Sequence, residues 1–296
     1  MKKGTIVAIV VAIVLIIVGG ILLAMGLSFA GGEKPESTLT QQETMIQESF
    51  ENIQIDTQDC DVTFVPYNGT ADAHVVILER ENTHHDVWVE DNTLKIKMVD
   101  ERDWTNYIGV NWESMEITVY LPQKQYTSVW VTTDTGEIRT PAPFSAQEIL
   151  LRSSTGDIYC DSAAGDLLDC MTSTGDIQVR GCVPITMKVQ SSTGDVSLYD
   201  VQSAEIHLQN GTGETVAKNV ICQMLTCNSS TGDVELQWVT AGEYLQVFTT
   251  TGDVEIGNSD AGNINIETET GDIDLPAAWK NKDVRIETDS GDIKFE

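Results

Sequence analysis

The sequence has little positive charge. Its 296 residues include 17 Lys and Arg against 46 Asp and Glu, which gives a formal net charge of −29 at pH 7. A surface with that charge repels nucleic acid and anionic lipid headgroups, because both are polyanions. The composition therefore predicts that nucleic acid is not a partner.

Residues typical of metal sites and common catalytic motifs are also scarce. There are only four histidines, and no two of the six cysteines have the Cys-x-x-Cys spacing of a transition-metal site. The sequence contains neither a nucleophile elbow nor a phosphate-binding loop. We therefore expect a non-enzyme, with no catalytic or cofactor-binding residues.

The longest hydrophobic run lies at the N-terminus, where residues 5–30 carry no charge. This run exceeds the ~20 residues that a helix needs to cross a bilayer. Lys2 and Lys3 precede it, so we expect a cytoplasmic N-terminus (1–4), a transmembrane signal anchor (5–30) and an extracytoplasmic remainder in the cell membrane. A cleaved signal peptide is the alternative, because Ser28-Phe29-Ala30 resembles a cleavage site. The length of the run favours the anchor.

A polar segment follows the hydrophobic run. Residues 31–48 contain paired glycines, a proline and few large apolar side chains, which predicts a flexible stalk. From Phe50 onward apolar and polar residues alternate, and helical periodicity is absent. This alternation predicts an all-β remainder.

The pentapeptide SSTGD at residues 191–195 has close relatives along the rest of the chain. The glycines of nine such copies are separated by 19 or 20 residues. They are Gly136, Gly156, Gly175, Gly194, Gly213, Gly232, Gly252, Gly271 and Gly291. A spacing this regular indicates a repeat architecture.

Apolar residues flank each glycine at fixed distances, seven and five positions before it and two and four after it. Around Gly194 these residues are Met187, Val189, Val196 and Leu198. The pattern predicts two short strands in each repeat, with alternate side chains inward. The flanking Ser, Thr and Asp side chains are expected to bond to the local backbone of the turn.

Two architectures fit these strands. An antiparallel hairpin meander would leave its apolar face uncovered, because the sequence offers no helix or second sheet to cover it. A β-solenoid, similar to a parallel β-helix, turns all four apolar columns inward. A propeller blade would need about twice this period. We therefore predict a solenoid of 19–20-residue coils over residues 127–296, preceded by a strand-rich capping region over 49–126.

Several segments resemble the bacterial "putative adhesin" family of β-strand repeats, whose function is unknown. The resemblance rests on FENIQID, LKIKM, ITVYLP and the serial TGDI and TGDV turns, and covers about residues 49–296. It implies a β-solenoid fold and supplies no catalytic residues. With one N-terminal transmembrane helix, the layout also resembles LiaG-type membrane proteins of envelope-stress operons.

Two triplets in the repeat match the Asp-Thr/Ser-Gly signature of aspartic proteases. They are Asp134-Thr135-Gly136 and Asp289-Ser290-Gly291. That mechanism requires two carboxylates that share a proton. Stacked coils would hold these two about eight strand spacings apart, roughly 38 Å. The repeat therefore argues against protease activity.

Three of the six cysteines fall in the inward columns, namely Cys160, Cys170 and Cys227. Cys170 and Cys227 share a column but lie three coils apart, about 14 Å, which is too far for a disulfide. Cys160 with Cys170 is the only plausible inward pair. Small apolar core residues are the favoured interpretation for all three.

The residue after each repeat glycine is acidic in all nine copies. These residues are Glu137, Asp157, Asp176, Asp195, Glu214, Asp233, Asp253, Asp272 and Asp292. In a stacked solenoid they form a file with a spacing of about 4.8 Å. Each carboxylate either accepts N–H bonds from its own turn or takes part in weak binding of cations such as calcium. Both interpretations stay open, and hydrogen bonding within the turn is the favoured one.

The aromatic stretch at residues 102–112 contains Trp104, Tyr107 and Trp112. Two interpretations stay open, a contact site and a plug at the end of the solenoid.

The whole sequence predicts a non-catalytic surface-interaction, adhesion or envelope-stress protein whose partner is an envelope protein, a surface protein or a glycan. We expect a monomeric ectodomain. A ligand-free structural spacer is the main alternative, and a polysaccharide-active solenoid enzyme is a weaker one.

Overall fold

The computed structural model describes residues 39–69, 72–80, 83–100, 114–282 and 284–295. The predicted transmembrane segment, most of the predicted stalk and the aromatic stretch at 102–112 lie outside these residues. The chain divides into compact units Met1–Leu39 and Thr40–Glu296, and the fold below is that of the second. Among the described residues, no helix is long and apolar enough to cross a membrane.

The described chain is almost entirely β-structure, with one short 3-10 helix at Ala277–Asn281. Seven strands precede the repeats: β1 Thr40–Ile46, β2 Asn52–Asp56, β3 Cys60–Tyr67, β4 Ala73–Glu79, β5 Thr83–Glu90, β6 Thr93–Asp100 and β7 Met115–Pro122. The repeats form β8 Gln125–Thr133, β9 Ile138–Thr140, β10 Ser145–Thr155, β11 Ile158–Cys160, β12 Ala163–Thr174, β13 Ile177–Arg180, β14 Thr186–Thr193, β15 Val196–Gln202, β16 Glu205–Thr212, β17 Thr215–Thr231, β18 Val234–Thr251, β19 Val254–Gly257, β20 Asp260–Thr270, β21 Ile273–Leu275, β22 Arg285–Ser290 and β23 Ile293–Phe295.

Successive repeats pair in parallel and in register. Ile149 on β10 lies opposite Val129 on one side and Leu168 on the other. On the second ladder, Ile158 lies between Ile138 and Ile177. Each step along a ladder equals one sequence repeat, so each repeat is one coil. The predicted β-solenoid is confirmed, and the antiparallel meander is excluded.

The apolar columns form the core inside the coils. Met187, Val189, Val196 and Leu198 of one coil are all buried. Outward residues such as Lys188 alternate with them and remain exposed. The solenoid therefore covers its own core without a second layer, because both strands of every coil turn an apolar face inward.

The repeat glycine is required by the close stacking of the coils. Gly194 has a φ of +135°, and a Cβ atom placed there would lie 2.1 Å from the carbonyl oxygen of Gly175 in the preceding coil. Any larger residue would clash with backbone that has no room to shift. A glycine is therefore needed once in every coil, at the point where this turn stacks on the turn before it.

A buried polar column stands three positions before the repeat glycines. Its members are Thr133, Ser153, Thr172, Ser191, Asn210, Ser229, Thr249 and Thr268, and all are buried. The Ser191 hydroxyl donates to the carbonyl of Gly175 at 3.1 Å, and Ser153 donates to Gly136 in the same way. The expectation that these side chains bond to their own turn is confirmed at Thr133, which accepts the Gly136 N–H, and at Asn210, which donates to the Gly213 carbonyl. It is wrong at Ser153 and Ser191, whose hydroxyls join one coil to the preceding one.

The N-terminal strands add two further coils out of chain order. Strand β2 pairs in parallel with both β8 and β6, and β3 pairs in parallel with both β9 and β7. The β2–β3 coil therefore lies between the first TGD coil and the β6–β7 coil. Antiparallel strands complete this end, since β5 pairs with β6, β4 with β7 and β1 with β4.

Part of the predicted flexible stalk is in fact strand β1. Residues Thr40–Ile46, which belong to the polar segment 31–48, pair with β4 over seven residues from Thr40 opposite Glu79 to Ile46 opposite Ala73. The pairing satisfies the backbone groups of the β4 edge, which side-chain hydropathy does not reveal. Only Ile46 of this strand is buried. The polar composition therefore concealed the strand.

Candidate functional site

The nine acidic residues after the repeat glycines were the candidate site residues, and the structure shows what most of them bond to. The Oδ1 atom of an aspartate accepts the backbone N–H of the acidic residue in the next coil, at 2.7–2.9 Å. The acceptors are Asp157, Asp176, Asp195, Asp233, Asp253 and Asp272. We call this arrangement the aspartate ladder. The expectation that each carboxylate bonds its own turn is wrong, because the partner belongs to the next coil.

The ladder begins one coil before the first recognisable repeat. The backbone N–H of Glu137 donates to Oδ1 of Asp61 at 2.9 Å. Asp61 lies in the sequence Cys60-Asp61-Val62, which lacks the TGD turn and was therefore missed. The glutamates Glu137 and Glu214 interrupt the ladder, since no carboxylate oxygen of theirs accepts a next-coil N–H among the described bonds. A longer side chain carries its carboxylate past that group.

Weak cation binding by the carboxylates of the aspartate ladder stays a prediction. One oxygen of each ladder aspartate already accepts an N–H bond. The second oxygen of Asp157 accepts the Tyr159 hydroxyl at 3.2 Å. Within the described part of the chain, no group of three or more His, Cys, Asp or Glu side chains is arranged to hold a metal ion. Asp272 also faces the ammonium of Lys294 at 3.0 Å. The N–H bond and this cation together lower the pKa of Asp272.

All six cysteines are buried free thiols. The prediction that Cys160 has only Cys170 as an inward partner is wrong, because the side chain of Cys182 also lies in the core. Its Sγ lies 4.0 Å from that of Cys160 and 2.9 Å from the carbonyl oxygen of Ser162. Cys182 stands in the bend after β13, outside the columns counted around the glycines. Cys170 is therefore not the only possible inward partner of Cys160.

A buried cluster in the N-terminal coils resembles a nucleophile–base–acid arrangement. His85 Nδ1 lies 3.0 Å from Glu79 Oε2, and Nε2 lies 3.0 Å from the Thr57 hydroxyl and 3.5 Å from Cys60 Sγ. However, Cys60 is fully buried, and this burial raises its pKa to about 12. A catalytic thiol needs the opposite shift and access to substrate. The cluster therefore acts as a hydrogen-bonded part of the core.

The most unusual exposed feature lies on one corner of the solenoid. Val183, Ile185, Ile221 and Trp238 are 57%, 57%, 51% and 59% exposed. We call these four residues the corner surface. They come from three of four successive coils: Val183 and Ile185 follow β13, Ile221 lies in β17 and Trp238 lies in β18. Gln202 of the remaining coil pairs with Ile221 on one side, and Thr240 pairs with it on the other. They make up half of the exposed large hydrophobic side chains in the described chain.

Trp238 occupies a strained backbone position within this surface. The equivalent residues of neighbouring coils are Gly181, Asp200, Asn219 and Asn258, and all five have a φ between +51° and +67°. Glycine, asparagine and aspartate tolerate that conformation, whereas a bulky residue there is an outlier. The sequence pattern around the glycines did not single out this position. The only indication in the sequence was a tryptophan at a position where the neighbouring repeats have Gly, Asp or Asn.

The fold defines a class of protein, a parallel β-solenoid whose coils are joined through TGD turns. A family model matches residues 50–211 and again residues 185–296, with the description Toastrack DUF4097. The chain belongs to this family, as the resemblance to "putative adhesin" repeats implied.

Solved structures provide further, more distant similarities. A putative adhesin from Parabacteroides distasonis is 13% identical, with 88% of this chain and 98% of that chain covered and a TM-score of 0.49. A putative adhesin from Bacteroides fragilis is 15% identical, with 88% and 99% covered and a TM-score of 0.40. A putative lipid binding protein from Parabacteroides distasonis is 13% identical, with 88% and 95% covered and a TM-score of 0.30. Similarities this low say nothing about what this chain binds. A search of curated proteins found no match.

Proposed function

We propose that this chain is a single-pass membrane protein whose extracytoplasmic solenoid contacts a partner protein through the corner surface and catalyses no reaction. The uncharged run at residues 5–30, preceded by Lys2 and Lys3, supports the anchor and its orientation. The buried and protonated Cys60 supports the absence of catalysis at the His85 cluster. The setting we propose is adhesion or the response to cell-envelope stress.

The observation that carries this proposal is the strained and exposed Trp238. A bulky residue held at positive φ costs on the order of 1 kcal/mol or more of folding stability. Neighbouring coils avoid this cost with Gly, Asp or Asn at the same position. Tryptophan is enriched among the residues that dominate binding energy at protein interfaces. A contact function accounts for a residue that stability alone would replace.

The surroundings of Trp238 fit a protein partner. The other three members of the corner surface are aliphatic and exposed, so the surface spans several coils rather than a single point. Exposed apolar patches with polar rims are typical of protein interfaces. Charged groups rim this one, including the pair formed by Lys218 and Glu235 at 2.8 Å.

The test is the substitution Trp238→Asn in the full-length chain. Asparagine is the residue found at this position in the coils on either side, so we expect the free energy of unfolding to rise by about 1 kcal/mol. Recovery of a specific cross-linked partner from cells should fall at least tenfold. Met45→Asn, which removes another exposed apolar side chain from β1, is the matched control and should change neither quantity strongly.

The competing account is a spacer that binds nothing. It predicts that Trp238→Asn stabilises the protein and leaves every cross-linked product unchanged. That outcome would contradict the contact function while leaving the structural account of the strained corner intact. Loss of cross-linking together with loss of folding would count against the strain argument itself.

A further inference from the structure

A second surface feature lies on the outer face of the first ladder, near the N-terminal end, and is formed by four residues from four adjacent strands. Trp88 on β5 lies opposite Lys95 on β6, Lys95 lies opposite Gln54 on β2, and Gln54 lies opposite Trp130 on β8. We call these four residues the tryptophan row. They are far apart in the sequence, and only the insertion of the β2–β3 coil brings them into one line.

The row faces solvent. On β2 and β8 the residues on either side of the row point into the core, as shown by the nearly complete burial of Ile53 and Ile55 on β2 and of Val129 and Val131 on β8. Side chains alternate across a strand, so Gln54 and Trp130 point outward. Trp130 is 51% exposed and Trp88 is 36% exposed. The two indoles are three strand spacings apart, about 14 Å.

Polar groups separate and surround the two tryptophans. Lys95 Nζ lies 2.7 Å from Glu90 Oε2, and the Ser128 hydroxyl donates to Asn52 Oδ1 at 3.1 Å. The indole N–H of Trp130 donates to the Thr132 hydroxyl at 3.1 Å, which holds the ring in one orientation. The surface therefore consists of two separate aromatic faces with hydrogen-bonding groups between them.

This chemistry differs from that of the corner surface. A protein or lipid partner usually covers a continuous apolar patch, which the polar residues Gln54 and Lys95 interrupt here. A sugar ring combines an apolar C–H face with a rim of hydroxyls. The C–H face matches the negative face of an indole, and the hydroxyls match the amide and ammonium groups between the indoles. The overall charge of −29 disfavours an anionic glycan.

We propose that the tryptophan row binds a neutral linear polysaccharide. Two sugar rings stack on Trp88 and Trp130, and the sugars between them hydrogen-bond to Gln54 and Lys95. Glu90 holds the Lys95 ammonium in place. This site is separate from the corner surface and does not depend on the function proposed for it.

The experiment uses the full-length chain in a zwitterionic detergent that has no sugar headgroup. The probes are neutral β-linked hexasaccharides of glucose and of N-acetylglucosamine, and binding is followed by tryptophan fluorescence and by calorimetry. We expect at least one of these probes to bind, and a hexasaccharide of uronic acids to bind at least tenfold more weakly. Trp130→Ala and Trp88→Ala should each weaken binding at least tenfold. Trp130 is 51% exposed, so Trp130→Ala should hardly change the melting temperature, whereas Trp88→Ala should lower it while the protein stays folded, because Trp88 is only 36% exposed.

A matched control lies on the same outward row several coils away. His207 continues the register of Trp130 through Leu150, Asp169 and Lys188, so His207→Ala should leave binding unchanged. Failure of every neutral hexasaccharide to bind would overturn the proposal. Equal binding by wild type and by the Trp88→Ala/Trp130→Ala double variant would also overturn it. Binding of a peptide or of phospholipid vesicles that those substitutions abolish, without glycan binding, would assign the row to that partner instead.

Discussion

The backbone N–H of Asp195 donates to Oδ1 of Asp176 at 2.8 Å, although the two residues are 19 positions apart in the chain. This bond closes the gap between one turn and the next, on the outside of the coil. On the inside, the hydroxyl of Ser191 also joins the two coils, because it donates to the carbonyl oxygen of Gly175. The TGD motif is therefore a joint between coils, which explains its repetition.

The aspartate ladder predicts an asymmetric response to substitution. Asp176→Ala removes the acceptor of the Asp195 N–H and should lower the free energy of unfolding by about 1 kcal/mol. Glu214→Asp should have the opposite effect, because a shorter side chain can accept the N–H of Asp233 and fill a gap in the ladder. Denaturant unfolding measures both changes. Equal and small effects of the two substitutions would show that the ladder does not stabilise the stack.

The inward and outward positions of one strand provide a matched pair of substitutions. Ile206 is fully buried, whereas the neighbouring His207 side chain is 49% exposed. Ile206→Asp places an unpaired charge in the core and should prevent cooperative folding, whereas His207→Asp should be tolerated. Circular dichroism melts of the two variants test the register. Similar melting temperatures would contradict it.

The columns on which this register depends could be predicted from the sequence, and the reason is physical. A closed coil has one inside, so inward residues such as Ile206 recur with the period of the coil and alternate along each strand. The N-terminal end was harder to predict. Strands β2 and β3 enter the stack out of chain order, and strand β1 satisfies backbone groups rather than burying apolar side chains.

The candidate site was predicted less completely than the fold. The file of acidic residues was evident, but the partner of each carboxylate belongs to the next coil, which no single repeat reveals. Trp88 and Trp130 become neighbours on one row only through the insertion of β2 between β6 and β8. The strain at Trp238 depends on a backbone angle, and residue identity alone does not report that angle.

Calcium tests whether the carboxylates of the ladder also bind cations. If they bind divalent cations weakly, the melting temperature of the protein should keep rising with calcium concentration at fixed ionic strength. We expect dissociation constants no tighter than roughly millimolar. A response to calcium no larger than that to sodium at equal ionic strength would leave the aspartates with hydrogen bonding alone.

The buried thiols predict a loss of stability in alkali. Burial raises the pKa of Cys60 and of Cys227 to about 12, and that of Cys222 to about 11. These thiols ionise near pH 8.5 in the unfolded chain, so the unfolded state releases protons first as the pH rises. Their contribution to stability is complete below about pH 8 and is lost progressively toward pH 12.

Thermal melts between pH 7 and pH 11 measure this effect, with Cys227→Ala as the comparison. That variant should lose part of the alkaline slope while melting lower at pH 7, because it leaves a small cavity. An alkaline slope that is unchanged in Cys227→Ala would show that this thiol does not contribute.

The central claim is that the strained tryptophan on the corner of the solenoid contacts a partner. The most direct measurement is photo-crosslinking in living cells of the full-length chain, with a photoreactive phenylalanine analogue at position 238 and, in a parallel strain, at position 207. The account predicts a discrete cross-linked protein from position 238 that position 207 does not give. The absence of any product specific to position 238, with the protein folded and present in the membrane, would contradict the account.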